Sequence, residues 1–309
     1  MKSIYMEHLT KPVTQLVLGT ALYEVDQYSH ATQLLDSYSS LGGTVLDTAE
    51  NYAGGQSERV IGRWMSERDN RESMVVMTKG GHPYNNKNRV NPEEITTDLM
   101  GSLERLQTNY IDIYMLHRDD PSYPVAPIIN MLNKHIMAGR ILTIGASNWT
   151  VDRISEANEY AKAEGLFGFT CNSPNLSLAK AQEPMWPGCV SADSSMLEWH
   201  TKTQMPLLSW ASQAGGFFTG RFVPELRHNS DIVRVYYDDN NWERYARAQK
   251  LAVKKACEPV HIALAYVLGQ PFPSCGIIGA RTVGEIVSNA HALQIELTEQ
   301  EVRWLDLIE

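Results

Sequence analysis

Eight short apolar runs alternate with helix-length amphipathic stretches along a chain of 309 residues. The predicted strand cores lie at 16–19, 44–47, 74–78, 111–116, 141–145, 167–171, 206–210 and 275–278. Seven of them are followed within their own segment by a plausible helix, as in SHATQLLDSYSSLG, SERVIGRWMSER and PEEITTDLMGSLERLQ. Repeated β-then-α units of this number favour a closed parallel (β/α)8 barrel of the TIM type over an open doubly wound sheet. No linker or low-complexity segment interrupts the pattern, so a single domain covering 1–309 is expected. In such a barrel the C-terminal strand ends converge on one face, where the active site is expected.

Four polar residues stand at or just beyond those strand ends: Asp47 and Tyr52 in VLDTAENY, Lys79 in VVMTKG and His117 in IDIYMLH. Charges are rarely buried unpaired, so an Asp and a Lys at the mouths of apolar strands point to chemistry rather than packing. The chemistry that uses all four is proton donation to a carbonyl by tyrosine. A free phenol has a pKa near 10; a neighbouring ammonium lowers it, and a carboxylate holds the ammonium in place. His117 would orient the carbonyl as a hydrogen-bond donor. Taken singly, each residue also reads as a satisfied strand-end polar group.

Further polar groups fall on the same face. Ser147 and Asn148 in GASNW suit a carboxamide, which needs one donor and one acceptor. Trp210 offers a flat face for an aromatic ring, and Gly215 with Gly216 would let backbone approach a pyrophosphate. A core tryptophan and a tight turn are the plain structural alternatives. After the last strand, Gly279, Ala280, Arg281 and Thr282 fit the phosphate site that barrels place beside a helix N-terminus. The charge of Arg281 favours NADP over NAD.

Composition bounds the partners. A net charge of −9 and a pI near 5.5 argue against nucleic acid or an anionic membrane as the main partner. The four cysteines show no CxxC pair and no metal-like spacing with histidine. The N-terminus has no apolar signal core and no run of eighteen apolar residues occurs, which predicts a cytoplasmic protein. Other nicotinamide and nucleotide motifs are missing: there is no G-x-G-x-x-G, no Tyr followed four residues later by Lys, no Gly-Lys and no H-E-x-x-H.

LVLGTALY, LDTAENYAGGQSERVIG, MTKG, LERLQTNYIDIYMLHRDDP, TIGASNW and IIGARTVGEIVSNA together resemble, in order and over nearly the whole chain, the aldo-keto reductase family. The resemblance implies a barrel that binds NADPH, with NAD as the alternative, and reduces an aldehyde or ketone to an alcohol. It implies Tyr52 as general acid, Lys79 and Asp47 as its tuning partners and His117 as the substrate-orienting residue. It places Gly19 and Thr20 near the nicotinamide, Ser147 and Asn148 on its carboxamide, Trp210 and Ser212 beside it, and Arg281, Thr282 and Asn289 at the adenosine end. Where the family commonly has Gln after the sixth strand, this chain presents Cys171 or Asn172, and Asn172 is the expected substitute. Glu285 puts a negative charge near the adenosine phosphate.

Two other functions remain open at the level of sequence. Some members of the family, the potassium-channel β subunits, are non-catalytic regulatory partners that bind the cofactor. A barrel using Lys79 as a Schiff-base amine is the second, although Asp47 beside it would keep the amine protonated. Specificity is expected from loops, chiefly 221–246, read as a lid or binding loop. Tyr23, Tyr84, Trp149, Tyr236 and Tyr237 would then form an aromatic wall for a sugar-like or aryl carbonyl.

Overall fold

A computed structural model of the chain describes residues 1–85 and 87–308; Glu309, the last residue of the expected domain, lies outside them. The strands are β1 (Leu16–Gly19), β2 (Val45–Asp47), β3 (Val75–Gly80), β4 (Ile111–Leu116), β5 (Ile141–Ser147), β6 (Cys171–Ser173), β7 (Leu207–Ser209) and β8 (Ser274–Ile278). Each pairs in parallel with its neighbours, and β8 closes the barrel by pairing with both β7 and β1. A short antiparallel pair, Ser3–Ile4 with Val13–Thr14, covers the N-terminal end.

Strand side chains alternate between the barrel interior and the surrounding helices. Val17, Val45, Val75, Met77, Ile113, Met115, Cys171, Leu208 and Cys275 point inward and form one apolar plug, closed below by Met6, Leu9 and Val13. Continuing that inward phase by two residues leads to Gly19, Asp47, Lys79, His117 and Trp210. The period of two that builds the plug therefore also carries the polar residues to its mouth. The register agrees: Asp47 lies opposite Met77, so Lys79, one pleat further along β3, reaches across to it.

The helices are α1 (Tyr28–Ser40), α2 (Gln56–Arg68), α3 (Pro92–Arg105), α4 (Val125–Met137), α5 (Val151–Ala163), α6 (Ser194–Thr203), α7 (Ser230–Tyr236), α8 (Asp239–Lys254), α9 (Pro259–Leu268), α10 (Val283–His291) and α11 (Glu299–Leu305). Their starts follow capping chemistry. Asn91 accepts from the Glu94 amide ahead of Pro92, and Thr298 and Glu301 bond each other's backbone amides as a capping box. Among the described residues no helix is long and apolar enough to cross a membrane.

Two expectations are corrected. The sixth strand was expected at 167–171 but runs over Cys171–Ser173. The backbone just before it is bonded instead by side chains: Asn133 from α4 holds the amide and carbonyl of Phe167, and Asn158 from α5 those of Phe169. Two amide side chains thus stand in for a strand partner. The segment 221–246 is not one long loop either, since α7 and the first half of α8 lie within it. Asn229 and Asp238 cap those helices, accepting from the amides of Ile232 and Asn240.

Candidate active site

The chain after β2 must fold back across the barrel mouth to bring Tyr52 near Lys79. It does so through backbone bonds from Glu50 N to Lys79 O (3.0 Å) and from Tyr52 N to Ala49 O (3.1 Å). A run of positive φ at Ala53 (48°), Gly54 (63°) and Gly55 (84°) then turns it into α2. Two of those three positions are glycine, for which this conformation carries no steric cost.

Lys79 Nζ donates to Asp47 Oδ1 at 2.5 Å, to Thr48 O at 2.8 Å and to the Tyr52 hydroxyl at 3.1 Å. Lys79 and Asp47 are 2 % and 4 % exposed, so little solvent screens the pair. Burial opposes charge on Lys79, yet Asp47 and Tyr52 hold it above the ordinary lysine range. Burial pushes the Asp47 carboxyl up while the ammonium pulls it down. At 2.5 Å the pair stands as ammonium and carboxylate.

Lys79 also pulls the Tyr52 phenol down, as the sequence suggests. Burial pushes it up more strongly, however, and the phenol sits above its ordinary value of 10.0. The expectation of a phenol acidified in the resting site is corrected accordingly. What the ammonium provides is stabilisation of phenolate when the proton leaves.

His117 N donates to Gly80 O at 2.8 Å, and its ring meets Tyr52 edge-on with centroids 5.7 Å apart. Burial, with the charges of Lys79 and Arg118, drives its pKa well below 6.5, so the ring is neutral at neutral pH. Its buried Nδ1 has no partner among the described residues.

These four side chains line a cavity of 1250 Å³. One small-molecule site occupies roughly 300–1000 Å³, so this one has room for two ligands side by side. Gly19, Ser147, Asn148, Trp210 and Ser212 lie along its wall, and Gly215, Gly279, Ala280, Arg281 and Asn289 continue it toward α10. Among the described residues nothing lies within 4 Å of where a Cβ on Gly279 would be, and Gly215 and Gly216 have φ of 62° and 87°. That open, glycine-bordered channel ending in Arg281 fits an extended phosphorylated ligand.

Three expected residues stand elsewhere. Thr20 is buried with its hydroxyl on Asp47 O (2.8 Å) and Ser57 (2.7 Å), behind the wall. Thr282 caps α10, accepting from Glu285 N at 3.1 Å. Asn172 is one residue out of the inward phase: its amide reaches His200 Nε2 (3.2 Å) and Met196 on α6, away from the cavity. Cys171 points into the apolar plug. Asn148 is in place, but its amide is committed within the protein. It donates to His117 O and Ser147 Oγ and accepts from Val190 N and Trp210 Nε1. Glu285 accepts from the Arg281 amide at 2.6 Å, occupying one donor of the expected phosphate site.

The expected aromatic wall is also redrawn. Tyr23 lines the cavity, whereas Trp149 and Tyr236 are buried in the packing and Tyr84 is 71 % exposed. Tyr237 bonds the carbonyls of Val223 and Leu226. The aromatic face is Trp210 stacked on Trp186, centroids 6.0 Å apart at 29°. Trp186, His82 and Arg118 were not singled out in the sequence. His82 and Arg118 each follow a polar strand-end residue by one to three positions, a signal that was there to be read. His82 lines the cavity, and its Nδ1 lies 2.9 Å from Pro83 O, which can only accept, so Nε2 is the acceptor of the neutral ring.

A model described as the Aldo/keto reductase family matches residues 15–309. Among curated relatives, norsolorinic acid reductase B of Dothistroma septosporum is 29% identical over 287 residues, covering 89% of this chain and 71% of that protein. The NADP(+) aryl-alcohol dehydrogenase of Phanerodontia chrysosporium is 28% identical over 299 residues, covering 89% and 74%. The fold is shared with a thermostable aldo-keto reductase solved with the inhibitor epalrestat, at a TM-score of 0.78, 20% identity and full coverage of both chains. It is shared as well with an aldo-keto reductase of Klebsiella pneumoniae solved with NADPH, at a TM-score of 0.75 and 24% identity, covering 99% of this chain and 94% of that one.

Proposed function

Since the chain belongs to the aldo/keto reductase family, an NAD(P)H-dependent class of oxidoreductase, we propose that it reduces an aryl aldehyde or ketone to the alcohol with NADPH, Tyr52 giving the proton. The observation that carries this reading is the chain of contacts from Asp47 through Lys79 to the Tyr52 hydroxyl, at 2.5 and 3.1 Å, in the mouth of the cavity. When bound, NADPH supplies a hydride for the carbonyl carbon. Tyr52 holds the proton that the carbonyl oxygen receives as its C=O bond opens, and Lys79 stabilises the phenolate left behind. An alkoxide is a far stronger base than a phenolate, so a phenol raised by burial still gives up its proton once the hydride has arrived. Asp47 keeps Lys79 charged, and neutral His117 offers an N–H to the same oxygen.

The 2′-phosphate that separates NADP from NAD has Arg281 to meet it, whose guanidinium makes no ion pair among the described residues. Gly279, Ala280 and Asn289 would hold the adenosine end, and Ser147 with Trp210 the nicotinamide. Trp186, stacked on Trp210, offers an aromatic face that suits a flat aryl compound, in keeping with the aryl-alcohol dehydrogenase among its relatives.

Tyr52→Phe is the direct test. Turnover of an aryl aldehyde should fall by roughly 10²–10⁴-fold, the usual size for a lost general acid, while NADPH binding followed by tryptophan fluorescence is retained. Turnover equal to wild type removes Tyr52 from the mechanism, and a wild-type protein that binds NADPH without oxidising it over a carbonyl panel points to a regulatory subunit instead.

A further inference from the structure

We infer that Arg118 selects substrates bearing a carboxylate, so that the compounds reduced here are aryl carbonyls with an acidic group. The inference rests on the reductase reading above and names the class of compound that site takes.

Arg118 follows His117 directly at the barrel mouth, lines the cavity and is only 6 % exposed. A guanidinium cannot shed its charge, and a buried charge without a counter-charge is costly. Four other part-buried arginines obey that rule; Arg244 in α8, whose buried Nε has no partner and which has no carboxylate within 4.0 Å among the described residues, does not. Arg71, Arg89, Arg105 and Arg153, with side chains 14–20 % exposed, sit against Asp112, Asp98, Glu58 and Asp119. Among the described residues no carboxylate lies within 4.0 Å of Arg118, the most buried of the five. Its place beside the catalytic groups, rather than in the packing between helices, says where the missing anion comes from.

The side chain is also held ready. Nη1 donates to His117 O at 2.8 Å and Nε to Pro187 O at 3.3 Å. Gly188, at φ +73°, lies against its Cδ, where a Cβ would come to 3.2 Å. The Arg118 carbonyl accepts from Trp149 Nε1 at 2.9 Å. Those bonds leave the second Nη1 hydrogen and both on Nη2, a fork that matches the two oxygens of a carboxylate. The Pro187 contact ties this fork to Trp186, so a flat ring against Trp186 would present a ring substituent to the guanidinium.

The balance of charge along the cavity agrees. Its wall carries the cations Lys79, Arg118, Arg221 and Arg281 and the carboxylates Asp47 and Glu285, in a chain of net charge −9. Asp47 is committed to Lys79, and Glu285 to the Arg281 amide at the other end. At the end that holds Asp47, Tyr52, Lys79 and His117, the charge of Arg118 meets no carboxylate within 4.0 Å among the described residues. It helps hold His117 and His82 neutral, after burial.

The experiment compares 4-carboxybenzaldehyde with its neutral analogue methyl 4-formylbenzoate, in wild type and in Arg118→Met and Arg118→Lys. Turnover of the ester reports on the reductase reading; the ratio of kcat/KM for the acid over the ester reports on Arg118. Wild type should favour the acid through KM, and Arg118→Met should lower the ratio by roughly ten- to a hundredfold, the worth of a charge-assisted pair. Arg118→Lys should recover part of it. A wild type with no preference, or a ratio that survives Arg118→Met whatever happens to the absolute rates, overturns the inference while leaving the reductase reading intact. If neither aldehyde is turned over, the dissociation constant of terephthalate from tryptophan fluorescence decides: at least tenfold weaker in Arg118→Met supports the anion site, and equal affinity sinks it.

Discussion

Burial, more than any neighbouring charge, sets how Tyr52, His82, His117 and His200 titrate. It raises Tyr52 and lowers His117 and His82 around the cavity, and it acts most plainly on His200, pushed down to about 4. His200 is fully buried in α6, its Nδ1–H on Met205 O at 2.8 Å and its Nε2 accepting from Asn172. Between about 4 and 6.5 the unfolded chain binds a proton there that the folded chain does not, so stability falls as pH drops through that window and is complete above it. The loss by pH 4 is at most about 3 kcal/mol. His200→Gln should flatten this acid limb in urea melts at pH 7 and pH 5; parallel losses in both proteins would exonerate His200. Asp47, Lys79 and His117 were legible in the sequence because each ends an apolar run on the inward phase. Asn172 was misread because a one-residue slip along a strand turns a side chain to the opposite face. Arg118 was overlooked because a charge just past a strand end looks solvated until its burial is known.

Helices were recognised where local signals sufficed and misjudged where the partner lay far off in sequence. α2 and α3 were anticipated from amphipathic spacing. Their packing was not. Gly62, mid-helix in α2, lies so close to the end of α3 that a Cβ there would stand 2.6 Å from Arg105 O and 2.6 Å from the Leu106 carbonyl carbon. Helix propensity alone makes Gly→Ala favourable by about 1 kcal/mol. Backbone cannot swing aside as a side chain can, so overpacking wins and Gly62→Ala should cost about 1–3 kcal/mol. The urea midpoint measures it, and an unchanged or higher midpoint would mean that α2 shifts freely on α3. The same distance effect explains the displaced sixth strand, whose upstream backbone is held by Asn133 and Asn158. Residues 221–246 hid two helices because seven-residue α7 is too short for periodicity to show.

At the scale of the whole molecule, the cavity exists only when the barrel is closed, since its wall draws on residues from Gly19 near one end of the chain to Asn289 near the other. A dinucleotide that fills it binds the native state alone and stabilises it by about 2.7 kcal/mol at a hundred times its dissociation constant. NADP+ should therefore raise the thermal midpoint, and more than NAD+ at equal concentration if Arg281 meets the 2′-phosphate; equal shifts would free Arg281 from that role. The barrel itself and the inward row of Asp47, Lys79 and His117 were determined by the sequence alone, because strand alternation and the order of β and α segments are properties of neighbouring residues. The tertiary structure alone decided which charges stay unpaired, which amides are already committed and which tryptophans face the cavity. Burial and partnership are set by segments dozens of residues apart, and no local pattern records how those segments meet.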